Sequence, residues 1–279
     1  MNQNAPAIFI PHGGGPLPLL DEPGHRELIG FLKALPQSFP APDAIVIISA
    51  HWEEDVATIT SAEAPELIYD YSGFPPESYR ILYPVPGHPA LAAHLKTLLE
   101  QAGIDARLDA KRGFDHGMFV PLTLMYPEAQ IPCVQLSLVK GLSPSQHIAI
   151  GKAIAELRHD NVLILGSGFS FHNLRAFGRG SEPDRDNLAF EAWLIDTCTN
   201  AATDAGHKTR ALTNWQQAPG AHHCHPREEH LLPLHVCFGA GFGVGFGAGL
   251  GADADNESST AQLIFDGTVL GKKTAALRW

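Results

Sequence analysis

Four short apolar runs rich in Val and Ile punctuate the chain, at residues 7–10, 44–50, 131–138 and 162–166. Their apolarity is continuous rather than alternating, which predicts strands covered on both faces. Between them the spacing becomes helical. Leu91-Ala92-Ala93-His94-Leu95-Lys96-Thr97-Leu98-Leu99 carries an apolar stripe and precedes Gly103, a stop signal. Ser143 before Pro144 reads as a cap with proline in the first helical position, opening a helix through Ala155 to Arg158. Asn187 to Cys198 is a third helix candidate, and Pro226 reads as the start of a fourth, with Glu228 and Glu229 in its first turn. A last strand is expected near Gln262 to Phe265. Strands alternating with helices predict an α/β fold: one domain over residues 1–279, with a central, largely parallel mixed sheet flanked by helices.

Two stretches lack a regular period. Residues 69–89 combine turn formers with aromatic rings, the composition of a loop that shapes a site or packs as a lid. Residues 239–252 are glycine-rich, and without a flanking strand and helix they define no phosphate loop; a flexible connection is expected there.

Composition narrows the function. A chain of 279 residues with 19 Lys+Arg against 30 Asp+Glu has a net charge of -11 and no basic stripe, which argues against nucleic acid as a partner. No apolar run approaches the ~20 residues that span a bilayer, and no secretory leader is visible. Cys133, Cys198, Cys224 and Cys237 are scattered without C-x-x-C spacing, as expected of reduced thiols in a cytoplasm. Cys224 lies among His222, His223 and His225, yet no second cysteine stands at ligand spacing, so a buried thiol is expected.

The chemistry lies in histidine. Two of the predicted strands run directly into His12 and His51, and a third leads through a Gly/Ser loop to His172. In an open α/β sheet the carboxyl ends of the strands face one crevice, so these imidazoles are expected to converge there on a metal ion. Gly13-Gly14-Gly15 would allow close approach, while Trp52 reads as core. Gly113-Phe114-Asp115-His116-Gly117 presents either an imidazole for acid–base work or a turn in which Asp115 accepts local backbone hydrogen bonds; the spacing leaves both open. His172 stands between ligation and acid–base work. Of Glu229 and His230, which a helix would direct about 100° apart, one is expected to face the metal. His235 is expected to pack or cap, and His25, His88, His94, His147, His159 and His207 to lie on the surface. Gly166-Ser167-Gly168 falls short of a nucleophile elbow, and no H-E-x-x-H or Walker loop is present.

In order, Pro11-His12-Gly13, Ser49-Ala50-His51-Trp52, Tyr71-Ser72-Gly73-Phe74-Pro75, Tyr83-Pro84-Val85-Pro86-Gly87, Gly113-Phe114-Asp115-His116-Gly117, His172-Asn173-Leu174 and His225-Pro226-Arg227-Glu228-Glu229-His230 resemble the DOPA-type extradiol dioxygenases. These belong to the class III ring-cleavage dioxygenases, relatives of the protocatechuate dioxygenase catalytic subunit. The resemblance extends to about residue 238. It implies a non-haem Fe(II) enzyme that cleaves a DOPA-like catechol with O₂ beside the two hydroxyls. His12, His51 and His230 match the family's metal ligands. His172 matches a fourth ligand or a base, and His116 a substrate-contacting acid–base residue. Phe74 and Tyr83 are expected to contact the small aromatic diol. The related branch completes its site with glutamate, which leaves Glu229 as an alternative ligand. An all-histidine site also accepts Zn(II), as purified protein can carry it. A non-redox metal-binding scaffold and a zinc-dependent hydrolase are the competing functions.

Overall fold

The computed structural model describes residues 4–177, 184–242 and 260–279. Its centre is an eight-stranded sheet formed by β1 (Ala7–Pro11), β2 (Ala44–Glu54), β3 (Ala57–Thr60), β4 (Ala106–Asp109), β5 (Cys133–Val139), β6 (Val162–Gly168), β7 (Gln262–Val269) and β8 (Lys272–Arg278). The order across the sheet is β4-β3-β5-β2-β6-β1-β8-β7. The four central strands β5, β2, β6 and β1 run parallel, so their carboxyl ends open on one side. They are the four runs read from the sequence, and their side chains are buried on both faces. The edges carry the antiparallel pairings: β3 on β5, β8 on β1, and the β7–β8 hairpin. The fold is thus the expected α/β arrangement with a mixed sheet.

The helices are α1 (Arg26–Ala34), α2 (Pro89–Gln101), α3 (His116–Met125), α4 (Pro144–Ile154), α5 (Arg185–Thr199), α6 (Ala205–Thr213), α7 (Ala221–Cys224) and α8 (Leu232–Ala240). Ser143 caps α4 as expected, its hydroxyl accepting from the Gln146 backbone N–H, and the helix tightens into a 3₁₀ segment over Ala155–Asp160. Two helices had no amphipathic signature to find. Both α3 and α8 are apolar around their whole circumference and buried, a pattern that erases the 3.6-residue contrast. The helices α4 and α8 pack with almost no side chain between them: a Cβ on Gly151 would meet Val236 O at 2.0 Å, and one on Gly239 would meet Ile148 O at 2.1 Å.

Three expectations need correction. The helix placed at Pro226 starts instead at Leu232, with Pro233 in its first turn; residues 225–231 form a turn docked on the end of β6, where Phe169 N–H donates to His230 O at 2.9 Å. Gly239 and Ala240 close α8 rather than opening a loop, and residues 243–252 of the expected glycine-rich connection lie outside the described residues. His25 and His147 are fully buried, not on the surface, each with both ring nitrogens hydrogen-bonded. No helix among the described residues is long and apolar enough to cross a membrane.

Candidate metal centre and aromatic pocket

The carboxyl ends of the central strands bring five imidazoles to one cavity of about 670 Å³, lined by His12, His51, His116, His172 and His230. His12 follows β1 directly. His51 sits where β2 departs from its register with β5: Ile48 and Glu53 are five positions apart, while their partners Leu136 and Leu138 are two apart. The surplus residues bulge out at the strand end and carry the imidazole into the crevice. His116 opens α3, His172 follows β6, and His230 lies on the docked turn.

Four of the imidazoles have Nδ1 engaged by an oxygen within hydrogen-bond distance. His12 Nδ1 lies 3.1 Å from Ser167 Oγ, whose own proton goes to Gly117 O, so His12 is the donor and its Nε2 keeps a lone pair. His116 Nδ1 lies 2.8 Å from Asp70 Oδ1, which also accepts the His116 backbone N–H at 3.0 Å. The other oxygen of Asp70 faces His51 Nδ1 at 3.8 Å. Glu229 Oε1 serves two rings, His172 Nδ1 at 3.1 Å and His230 Nδ1 at 2.9 Å. Acceptors at Nδ1 leave Nε2 as the free ligand atom.

The electrostatics favour the neutral form of His12, His51 and His230. Burial, and then the neighbouring His230 and His116, hold His12 well below the usual histidine range. Burial followed by His116 does the same for His51, and burial with His172 lowers His230 to about 3. For Glu229 burial works upward, but its hydrogen bonds from His172 and His230 outweigh it and hold the carboxyl well below the ordinary range. Neutral imidazoles beside an ionised carboxylate are the protonation states a metal ion requires.

Ligand-type atoms form two clusters, each within 4.8 Å: His12, His51 and His116 in one, His172, Glu229 and His230 in the other. The clusters abut, with ring centroids of His12, His51 and His230 separated by 4.9, 5.3 and 4.9 Å. His12 Nε2 and His51 Nε2 are 3.0 Å apart. At that separation the two nitrogens could serve as ligands of one ion. His172 and His230 are stacked, 3.3 Å between centroids and 16° between planes.

The rest of the cavity is largely aromatic and aliphatic: Tyr71, Phe74, Phe169, Phe177, Leu17, Leu174 and Leu270. Tyr71 and Phe74 come from the irregular 69–89 segment, whose backbone is held by Tyr69 Oη donating to Ile81 O and Tyr71 Oη donating to Ser78 O.

Residues 6–253 match the family model of the catalytic LigB subunit of aromatic ring-opening dioxygenase. The chain belongs to the LigB family of extradiol ring-cleaving dioxygenases. Among curated relatives of this LigB-family enzyme, the dioxygenase tasH of Hapsidospora irregularis is 44% identical over 85% of this chain and 78% of its own. The 4,5-DOPA dioxygenase extradiol of Portulaca grandiflora is 37% identical, covering 84% and 86%, and that of Escherichia coli K12 is 35% identical, covering 84% of each. A crystal structure of an uncharacterised Escherichia coli K12 protein superposes with a TM-score of 0.76 at 28% identity, covering 98% of this chain and 99% of that one.

Most sequence-predicted residues of this LigB-family chain meet in the cavity: His12, His51, His116, His172, His230, Glu229 and Phe74. Tyr83 does not. Its ring is buried away from the cavity and its hydroxyl donates to Tyr126 O at 3.0 Å; Tyr71 supplies the tyrosine wall instead. Asp115 is no local turn acceptor either. Its buried carboxylate takes Ser49 Oγ–H at 2.7 Å, Arg112 at 3.0 Å and the Gln135 amide, pinning α3 to β2 and β5. Cys224 is a buried thiol and Trp52 is core, as expected. Sequence reasoning missed Asp70 and Ser167, the oxygens that orient His116 and His12. Neither has a local signal, since each acts on a histidine at least 46 positions away.

Proposed function

We propose that the chain is an Fe(II)-dependent extradiol dioxygenase, carried by one domain over the whole chain, that opens the ring of a catechol with O₂. The observation that carries this reading is the meeting of neutral, Nδ1-anchored imidazoles in one aromatic-walled cavity. His12, His51 and His230 are the proposed ligands. His12 Nε2 and His51 Nε2, 3.0 Å apart, are close enough to share one ion, and three protein ligands would leave positions for other donors. Bound there, Fe(II) would hold both reactants and pass electron density between them.

The remaining steps belong to the side chains. Stacked on His230, His172 is better suited to moving a proton than to ligation; with Nδ1–H held by Glu229, its Nε2 is a base for a catechol hydroxyl. His116, held through Asp70, is the second acid–base residue, placed to return a proton to the ring-derived oxygen. Tyr71 and Phe74 contact the substrate ring and limit water. Four buried free thiols suit a reducing compartment, and the cytoplasm is the proposed location.

The test is anaerobic reconstitution with Fe(II), followed by oxygen-electrode and absorbance assays on a catechol panel. One O₂ consumed per ring opened is expected. Tight Fe(II) binding with no uptake for any catechol would overturn the reading in favour of non-redox chemistry. His230→Ala should weaken metal binding at least 100-fold, whereas His172→Ala should retain metal within a few-fold and lose ~10²–10⁴ in rate. Metal loss in His172→Ala would make it a ligand.

A further inference from the structure

Beyond the imidazoles and Glu229, the charged lining of the cavity among the described residues is a single ion pair, Glu53 with Arg227. The two meet as a fork on a fork, Nη1 to Oε1 and Nη2 to Oε2, both at 2.6 Å. Their positions are tied to the metal ligands by chain geometry. Glu53 is two residues beyond His51 on β2 and shares its face; Arg227 lies three residues before His230 on the docked turn. Arg227 Nη1 is also 3.5 Å from Glu229 Oε2, whose partner oxygen anchors His172 and His230. A substituent extending from a ring held at the imidazoles past Glu229 therefore runs toward this pair, in a cavity whose apolar lining includes Phe74, Phe177, Leu174 and Leu270.

Building on the ring-cleavage reading, we propose that Glu53 and Arg227 are specificity-determining residues that select catechols with uncharged, largely apolar substituents. The guanidinium edge facing Glu53 is already engaged, so a substrate carboxylate that takes that edge displaces Glu53, and an ammonium that takes Glu53 displaces Arg227. Either exchange leaves a charge of the pair without its partner beside an apolar wall. A neutral chain meets the same wall and disturbs nothing. Arg227 is half-exposed, so solvent screens part of this cost and a selectivity of about tenfold is expected rather than absolute exclusion.

The experiment uses catechols of equal length carrying a propyl chain, the same chain with a terminal carboxylate, with a terminal ammonium, or with both. Kd is measured calorimetrically and anaerobically on the Fe(II)-loaded protein, and kcat/KM by oxygen uptake, for the wild type, Glu53→Gln and Arg227→Gln. The wild type should favour the neutral catechol about tenfold in Kd. Glu53→Gln should shift the carboxylate-to-neutral ratio about tenfold toward the carboxylate, and Arg227→Gln the ammonium-to-neutral ratio in the same sense. Tighter wild-type binding of the carboxylated or zwitterionic catechol, or ratios unmoved by either variant, overturns the proposal. Expected Kd ratios without oxygen uptake would sustain it and refute the ring-cleavage reading instead.

Discussion

Replacing Glu229 by Gln removes one charge and leaves the shape of the side chain, which isolates what the carboxylate does for the two stacked imidazoles. Glu229 Oε1 accepts from His172 Nδ1 at 3.1 Å and His230 Nδ1 at 2.9 Å, and the side chain is 12% exposed, so solvent does little to screen either bond. Hydrogen bonds to a charged group contribute about 1.5–3 kcal/mol against about 1 for a neutral pair, so the two together lose roughly 1–4 kcal/mol. Part of that loss appears as poorer orientation and basicity of His230. Partners of this kind typically govern ~10–100-fold in metal affinity, equivalent to about 1.4–2.8 kcal/mol and within that range. Anaerobic competition of Glu229→Gln against a chromophoric chelator should therefore show Fe(II) affinity reduced ~10–100-fold, with the secondary structure by circular dichroism unchanged. An affinity within twofold of the wild type would refute the anchoring role. A loss on the order of that in His230→Ala would refute it in the other direction, making Glu229 a ligand in its own right.

Acid should destabilise the protein through its buried neutral histidines. His147 accepts Val139 N–H and donates to Ser143 O, and burial lowers it from 6.5 to about 4. Below pH 6.5 the unfolded chain takes up a proton that the folded chain refuses, so its contribution is complete above that pH and falls by about 3 kcal/mol on reaching pH 4. Urea unfolding at pH 7 and 4.5 should show a flatter pH dependence in His147→Gln, and an identical slope in both proteins would contradict the assignment. Gly168→Ala would place a Cβ 2.2 Å from His230 O and 3.0 Å from Phe9 Cε2. The docked turn must then move, at a cost of about 1–3 kcal/mol, with weaker metal binding alongside the lower melting temperature; unaltered metal affinity would show that the turn tolerates displacement.

The sequence by itself determined the four central strands and where their carboxyl ends lie, because a strand buried on both faces must be continuously apolar, and that pattern is local. It also determined which side chains meet in the cavity: His12, His51, His116, His172 and His230 could be named from strand ends, glycine-flanked loops and the ordered resemblance to a family. Position within a site was another matter. Pro226 carried a valid helix-start signal, yet its turn is held on β6 by the His230 carbonyl, and the helix opens at Leu232 instead. Tyr83 and Tyr71 look alike as aromatic members of one loop, and only packing sends one into the core and the other into the cavity. His25 and His147 read as surface residues because a polar side chain in a helical or loop context gives no sign of the backbone groups that satisfy it when buried. Asp70, Ser167 and the Glu53–Arg227 pair were decided by the tertiary structure alone. Each acts across at least 46 residues of chain, and a hydrogen bond between distant segments is a consequence of how the sheet brings them together, with no periodicity or spacing to announce it.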